Sequence, residues 1–386
     1  MRLSFFILTV LFFQNTSAQS IVAGAERLDE YLGLLRNKKV AVACNASSRV
    51  GNSHLIDTLV AEGIQIHKIF APEHGFRGDA DAGAHIQSGI DDKTGIAIKS
   101  LYGENKKPSL SDYQGIDIVV FDIQDVGVRF YTYISTLQYI MEACAEYKVP
   151  LLILDRPNPN GHYVDGPVLE IKNKSFVGMQ PIPIVYGMTI GEYAQMLIGE
   201  KWLNTKSTLD LKIISCQNYT HSSKVVLTTP PSPNLKSSQA IALYPSLCLM
   251  EGTDISVGRG TESPFEIFGS PYIDKSKMKD TFTPQSKKGA TNPPFLGQKC
   301  FGMNLHKVHP KSQFDLSYIL SSYRAWTKDK SSFFLKNLFF DKLAGNTTLR
   351  WQIIKGKSES EIRASWEPAL GQFKLLRKKY LLYKDF

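Results

Sequence analysis

IDIVVFDIQD, residues 116–125, is the stretch whose reading decides the fold. An apolar run suited to a buried strand, 116–121, stops on Asp122, Gln124 and Asp125. Three other runs stop the same way. Lys39–Cys44 (KVAVAC) runs into Asn45, residues 64–70 (IQIHKIF) into Pro72-Glu73-His74, and Leu151–Leu154 (LLIL) into Asp155-Arg156-Pro157-Asn158. Continuous apolar strands separated by helical patterns describe a parallel sheet buried on both faces, hence an α/β fold. In open sheets of this kind the site lies beyond the carboxyl ends of the strands. Glu73, His74, Asp122, Gln124, Asp125 and Asp155 are therefore expected to meet along one edge. Such a gathering of ionisable groups points to an enzyme.

The chain has 386 residues, enough for two or three domains and a substantial core. Residues 1–18 pair a basic start at Arg2 with a short apolar run and a small-residue end at Ser17-Ala18, which describes a secretory signal peptide. Cleavage after Ala18 leaves a product starting at Gln19, exported to the periplasm or the exterior, with no stable membrane insertion. The alternative is an uncleaved N-terminal anchor. Residues 19–170 alternate strand and helix patterns, with a soft boundary between 165 and 240 that can carry this unit to about 240; a further strand pattern lies at 211–215. Residues 171–386 form a C-terminal auxiliary unit of α+β character whose loop-rich stretch 245–273 is expected to complete the cleft. Helical spacing marks 54–62, 133–147, 188–200, 317–326 and 361–383, with Thr189 and Glu192 at the separation of a capping box. Five cysteines are spread widely, with no zinc-type spacing. The net charge of +9 suits solubility or attraction to an anionic polymer, and no nucleic-acid motif accompanies it.

Several chemistries lack their motifs. No GxGxxG or GxxxxGK[ST] loop follows the first strand, and neither GxSxG nor HExxH occurs. No cofactor is called for. Carboxylates remain. Glu73 reads either as a turn carboxylate paired with Arg77, or as a general acid whose pKa is raised by partial burial against Phe70 and Phe76. Of Asp122 and Asp125, one is expected to cap the following helix and the other to face the cleft. Tyr131 and Tyr133 beside Arg129 suit a sugar ring, or pack on the core. Arg259 either grips a substrate carboxylate or links to Glu251 or Glu262. His74, Asp79, Asp81 and His85 form the one candidate metal cluster, without a recognised spacing.

Taken together, these segments resemble a known family. The motifs are Pro72-Glu73-His74-Gly75-Phe76-Arg77-Gly78; Asp92-Lys93-Thr94-Gly95 with Ser100-Leu101-Tyr102-Gly103; the run from Phe121 through Asp125 and Arg129 to Tyr133; Asp155-Arg156-Pro157-Asn158-Pro159; Pro231-Ser232-Pro233-Asn234-Leu235; and Glu251-Gly252-Thr253 with Ser256-Val257-Gly258-Arg259-Gly260-Thr261. They look like the exo-β-N-acetylmuramidases of the NamZ type, over about residues 25–383. The resemblance implies a Rossmann-like N-terminal domain with a smaller C-terminal α/β domain. It implies an exo-acting glycosidase that releases N-acetylmuramic acid (MurNAc) from the non-reducing end of peptidoglycan fragments such as MurNAc-GlcNAc and muropeptides. On this reading Glu73 is the acid. Asp122 or Asp125 supplies the second carboxylate, with Glu262 an outsider, or the substrate's acetamido group assists instead. Arg77, Arg129 and Arg259 compete for the lactyl group, while Asn45, His74, Gln124, Asn158, Tyr131, Tyr133 and Glu251 complete the contacts. Tyr186 stands where relatives carry His. The alternatives are a non-catalytic peptidoglycan-binding protein and a metal-dependent cell-wall amidase using His74 and His85.

Overall fold

The computed structural model describes residues 20–73, 75–77 and 89–386. The leader reading at 1–18 and the cluster His74, Asp79, Asp81 and His85 lie outside the described residues. The strands are β1 (Lys39–Cys44), β2 (Arg49–Val50), β3 (Ser53–His54), β4 (Gln65–Ala71), β5 (Gly89–Ile90), β6 (Ala97–Ser100), β7 (Ile118–Asp122), β8 (Leu151–Leu154), β9 (Leu211–Ile214), β10 (Ile267–Ser270), β11 (Asp280–Phe282) and β12 (Cys300–Asn304). Seven form one sheet in the order β5-β6-β4-β1-β7-β8-β9. Every pairing in it is parallel except the edge pair β5–β6. The runs read from sequence are β1, β4, β7 and β8, the four adjacent central strands.

Alternation along these strands divides the apolar residues between two faces. Val40, Val42, Ile118, Val120, Leu152 and Leu154 face a smaller core closed by the helices Leu28–Leu35 and Leu55–Ala61. Ala41, Ala43, Val119, Phe121, Leu151 and Ile153 face a larger core closed by the helices Tyr133–Tyr147 and Ile190–Gly199. That larger core continues without a break into the C-terminal part, through Leu247, Phe268, Phe340 and Phe373. The second part thus lies on one face of the sheet and adds a three-stranded antiparallel sheet, β10-β12-β11. Because β9 comes from residues 211–214, the parallel sheet reaches well past residue 170.

Local signals start the helices where the residues demand. Thr189 and Glu192 form the capping box that opens Ile190–Gly199, and Ser358 and Glu361 form the one that opens Glu359–Arg377. The chain's end is tied to the sheet. Tyr383 donates its hydroxyl proton to Asp155 Oδ2 at 2.5 Å, and Glu192 Oε1 accepts the Leu382 backbone N–H at 2.9 Å. All five cysteines are free and buried.

The register fixes the working edge. Ala43 lies beside Phe121 and Phe70, and Phe121 beside Ile153. The strands therefore deliver Asn45, Glu73, Asp122 and Asp155 side by side. The chain leaves β1 toward β4 but leaves β7 toward β8, and this divergence opens a crevice at the carboxyl edge.

Candidate active site

Glu73 stands two residues beyond the end of β4, partly buried. Thr132 donates its hydroxyl proton to Glu73 Oε2 at 2.9 Å. The Tyr102 hydroxyl, which follows β6, hydrogen-bonds the same carboxylate. Burial, and next the Glu73 charge, push the Tyr102 phenol up, so it remains a donor. Arg77 is not Glu73's partner. It grips Asp91 with two bonds of 2.9 and 2.8 Å and reaches Asp57 at 3.5 Å, so the paired-turn reading of Glu73 gives way to an Arg77–Asp91 ion pair.

The Tyr133 hydroxyl lies 3.5 Å from the Glu73 backbone carbonyl, with Tyr131 packed against Tyr133. Both donate to the Pro231 carbonyl, at 3.0 and 3.1 Å. Their rings do not form a sugar platform. They meet edge to face at 4.7 Å and are nearly covered, because Tyr244 packs on Tyr131 from the other side. Asn45 sits beside the Tyr133 hydroxyl. Its Oδ1 accepts from the Ser47 N–H and the Ser48 hydroxyl, whereas its buried Nδ2 makes no full hydrogen bond among the described residues and only approaches the Tyr133 oxygen. A buried amide donor left open costs free energy unless a ligand completes it.

The C-terminal part contributes Arg259. Its charge acts on Tyr102, its Nε donates to Glu251 Oε1 at 2.5 Å, and its guanidinium lies 5.1 Å from the centre of the Phe265 ring. Burial opposes the Arg259 charge, but Glu251 more than offsets this and raises its pKa. The pair lines a cavity of about 310 Å³ with Asp254, Phe295 and Phe339. Of the two carboxylates offered to Arg259, Glu251 is the one it pairs with. Glu262 is exposed and pairs with Lys287 at the surface.

Asp125 lies behind the tyrosines. Its Oδ2 accepts the Tyr186 hydroxyl at 2.5 Å and the Gly127 N–H at 2.6 Å, and its Oδ1 is buried with no partner among the described residues. Burial pushes its pKa up to about 7 against these bonds. Gly127 holds φ at 75°, and a Cβ there would lie 2.1 Å from Asn158 Oδ1, so the turn requires glycine. Tyr186 is wholly buried and acts on Asp125, not on a ligand. Neither Asp125 nor Asp122 caps the next helix. Its N-cap is Thr132, which makes no capping bond.

The pleat sends Asp122 to the opposite face from Phe121. There Arg156 holds both of its oxygens, Nε to Oδ1 at 2.5 Å and Nη2 to Oδ2 at 2.9 Å. A carboxylate so occupied is a structural partner rather than an acid or base. Gln124 donates to the Asp125 and Pro157 carbonyls and, with Arg156, Arg49, Ser47 and Lys224, lines a separate cavity of about 490 Å³. Asn158 spends its amide on the Met188 carbonyl and the Asn160 N–H. Arg129 is fully buried and donates to the carbonyls of Pro167, Ile182 and Leu343; burial lowers its pKa to about 9. It joins the two parts of the chain and leaves no face for a substrate. Tyr102, Thr132 and Arg156 are site residues that sequence pattern alone does not mark. Their one signal is position: Tyr102 and Arg156 each follow a strand at the carboxyl edge, and Thr132 opens the helix behind it.

A glutamate held by two hydroxyls, one of them also within the field of the Arg259–Glu251 pair, is equipment for acid–base chemistry on a polar, anionic substrate, which places the protein among hydrolases that work with carboxylates. The chain belongs to the NamZ exo-β-N-acetylmuramidase family: residues 40–239 match the N-terminal profile and 242–383 the C-terminal profile of "Exo-beta-N-acetylmuramidase NamZ". It is 39% identical to the peptidoglycan beta-N-acetylmuramidase NamZ of Bacillus subtilis over 92% of this chain and 89% of that protein. Two crystal structures of DUF1343-family proteins from Bacteroides fragilis have the same fold. One has a TM-score of 0.87 at 45% identity, covering 95% of this chain and 100% of the other. The second has a TM-score of 0.81 at 28% identity, covering 94% and 99%.

Proposed function

We infer that the protein is an exo-acting glycoside hydrolase that cleaves the β-linked N-acetylmuramic acid unit from the non-reducing end of peptidoglycan. MurNAc-GlcNAc and longer muropeptides are the substrates we propose. Glu73 carries the reading. It is a partly exposed carboxylate at the carboxyl edge of the sheet, oriented by two hydroxyls, with the Tyr133 hydroxyl 3.5 Å from its backbone carbonyl and Asn45 beside that hydroxyl. In the proposed reaction Glu73 protonates the glycosidic oxygen as the bond to the anomeric carbon breaks and the substrate's own acetamido oxygen closes on that carbon. Water then displaces the acetamido oxygen, its oxygen bonding to the anomeric carbon and its proton returning to the Glu73 carboxylate. Thr132 and Tyr102 hold its carboxyl in place. Arg259, kept charged by Glu251, is the cation for the lactyl carboxylate of MurNAc. Asn45 Nδ2 is the donor for a sugar hydroxyl or the acetamido oxygen. Asp125 is too buried to touch the sugar and serves by fixing the Tyr186 and Gly127 turn.

The test is Glu73→Gln assayed on an aryl MurNAc glycoside and on MurNAc-GlcNAc. Loss of the proton donor should lower kcat by on the order of 10²–10⁴ while the folded state persists. Turnover near the wild-type rate would remove Glu73 from the acid role. We also propose export through the leader at 1–18, checked by sequencing the N-terminus of the secreted product, which should begin at Gln19.

A further inference from the structure

Charge is not spread evenly over the two parts. Residues 242–386 hold 23 of the 45 Lys and Arg but only 13 of the 36 Asp and Glu, so the entire positive excess lies there. Part of it surrounds a cavity of about 420 Å³ that shares no residue with the Arg259 cavity. Lys277, Arg324, Lys330 and Lys357 border it, and Leu320, Tyr323 and Ile353 provide an apolar floor. No acidic side chain lines it among the described residues. Lys357 pairs with Glu361, whereas Lys277 and Arg324 form no ion pair among the described residues. Lys330 is fixed, stacking on the Tyr323 ring at 4.9 Å and donating to the carbonyls of Tyr323 and Trp326. Burial, and next the charge of Lys277, hold the Lys330 ammonium below its ordinary range, so like charges crowd the cavity. The Tyr323 ring lies 5.1 Å from that of Phe333, and the segment that follows Phe333 supplies Leu335 to the Arg259 cavity. The two cavities therefore flank one aromatic segment.

We propose that this cavity is an accessory docking site for a short acidic peptide, the carboxylate-bearing stem of the peptidoglycan that the enzyme works on. A cationic rim over an aliphatic and aromatic floor matches carboxylates carried on small alkyl side chains. A phosphate polymer would leave the floor unused. The proposal rests on the peptidoglycan reading for the choice of partner, not for the existence of the site.

The experiment uses the whole protein and titrates it calorimetrically with an acidic, alanine-rich tetrapeptide and, separately, with poly(glycerol phosphate). The doubly reversed variant Lys277→Glu/Arg324→Glu is compared with wild type, and Lys38→Glu serves as a remote control. Both reversed side chains are exposed, so folding is retained. Wild type should bind the peptide, and more weakly as salt rises. The double variant should bind it at least about tenfold more weakly, with Lys38→Glu unchanged. In parallel, the ratio of kcat/KM on stem-bearing to stem-free MurNAc-GlcNAc should fall in the double variant. Undiminished peptide affinity in the double variant, or tighter binding of the phosphate polymer than of the peptide, overturns the proposal. Peptide binding without any hydrolysis of MurNAc-GlcNAc would sink the enzymatic reading and leave this site standing. Hydrolysis without peptide binding would do the reverse.

Discussion

Replacing Asp125 with Asn should remove a pH dependence of stability that this one side chain creates. The Asp125 carboxyl is buried, its Oδ1 faces no donor among the described residues, and burial pushes its pKa from the ordinary 3.8 to about 7. A folded-state pKa above the unfolded one means that the native protein holds this proton more tightly. Stability is then fully present below about pH 4, declines as pH rises toward 7, and levels off above it. Each pH unit between the two titrations is worth about 1.4 kcal/mol, so the span from 3.8 to about 7 amounts to about 4 kcal/mol. Asn keeps the shape and can still accept from the Gly127 N–H and the Tyr186 hydroxyl, but it has no charge to bury. Denaturant unfolding of both proteins from pH 4 to pH 8 checks this. The two should agree at pH 4, and Asp125→Asn should be the more stable by about 4 kcal/mol at pH 8. Asp155, raised to about 6 by burial, slopes in the same direction in both proteins and cancels in the difference. Curves that stay parallel across the range would refute the account of Asp125 as a buried, reluctantly ionised carboxyl.

Other outcomes follow from the same contacts. Thr132→Val and Tyr102→Phe each remove one hydroxyl from Glu73 and should each lower kcat about tenfold, with KM little changed, in steady-state assays on MurNAc-GlcNAc. Arg156→Met strands the Asp122 carboxylate and should cost about 3–5 kcal/mol in denaturant unfolding, although it lies away from Glu73. Removing residues 382–386 deletes the bonds from Tyr383 to Asp155 and from Leu382 to Glu192. It should cost about 2–3 kcal/mol, read from the same unfolding curves. The five buried thiols should react with a thiol reagent only once the protein unfolds.

The sequence by itself determined that four strands end in polar clusters, which helices follow them, and that the clusters share one edge. Those properties are local: apolar runs, capping boxes and turn residues act over a few positions, and parallel strands with helical crossovers align their ends. The same evidence singled out Glu73. What only the tertiary structure decided was which neighbour each polar side chain meets. Asp122 and Asp125 are three residues apart, yet the pleat turns one to Arg156 on one face while a turn at Gly127 sinks the other beneath Tyr131 on the opposite face. Arg77, Arg129 and Arg259 look alike as cations in the chain. Asp91, three buried carbonyls and Glu251 respectively assign them different work. Tyr102 and Thr132 come to Glu73 from segments about 30 and 60 residues away, and no periodicity records such a meeting, because a hydrogen bond between distant segments is set by packing and register, not by the composition of either one.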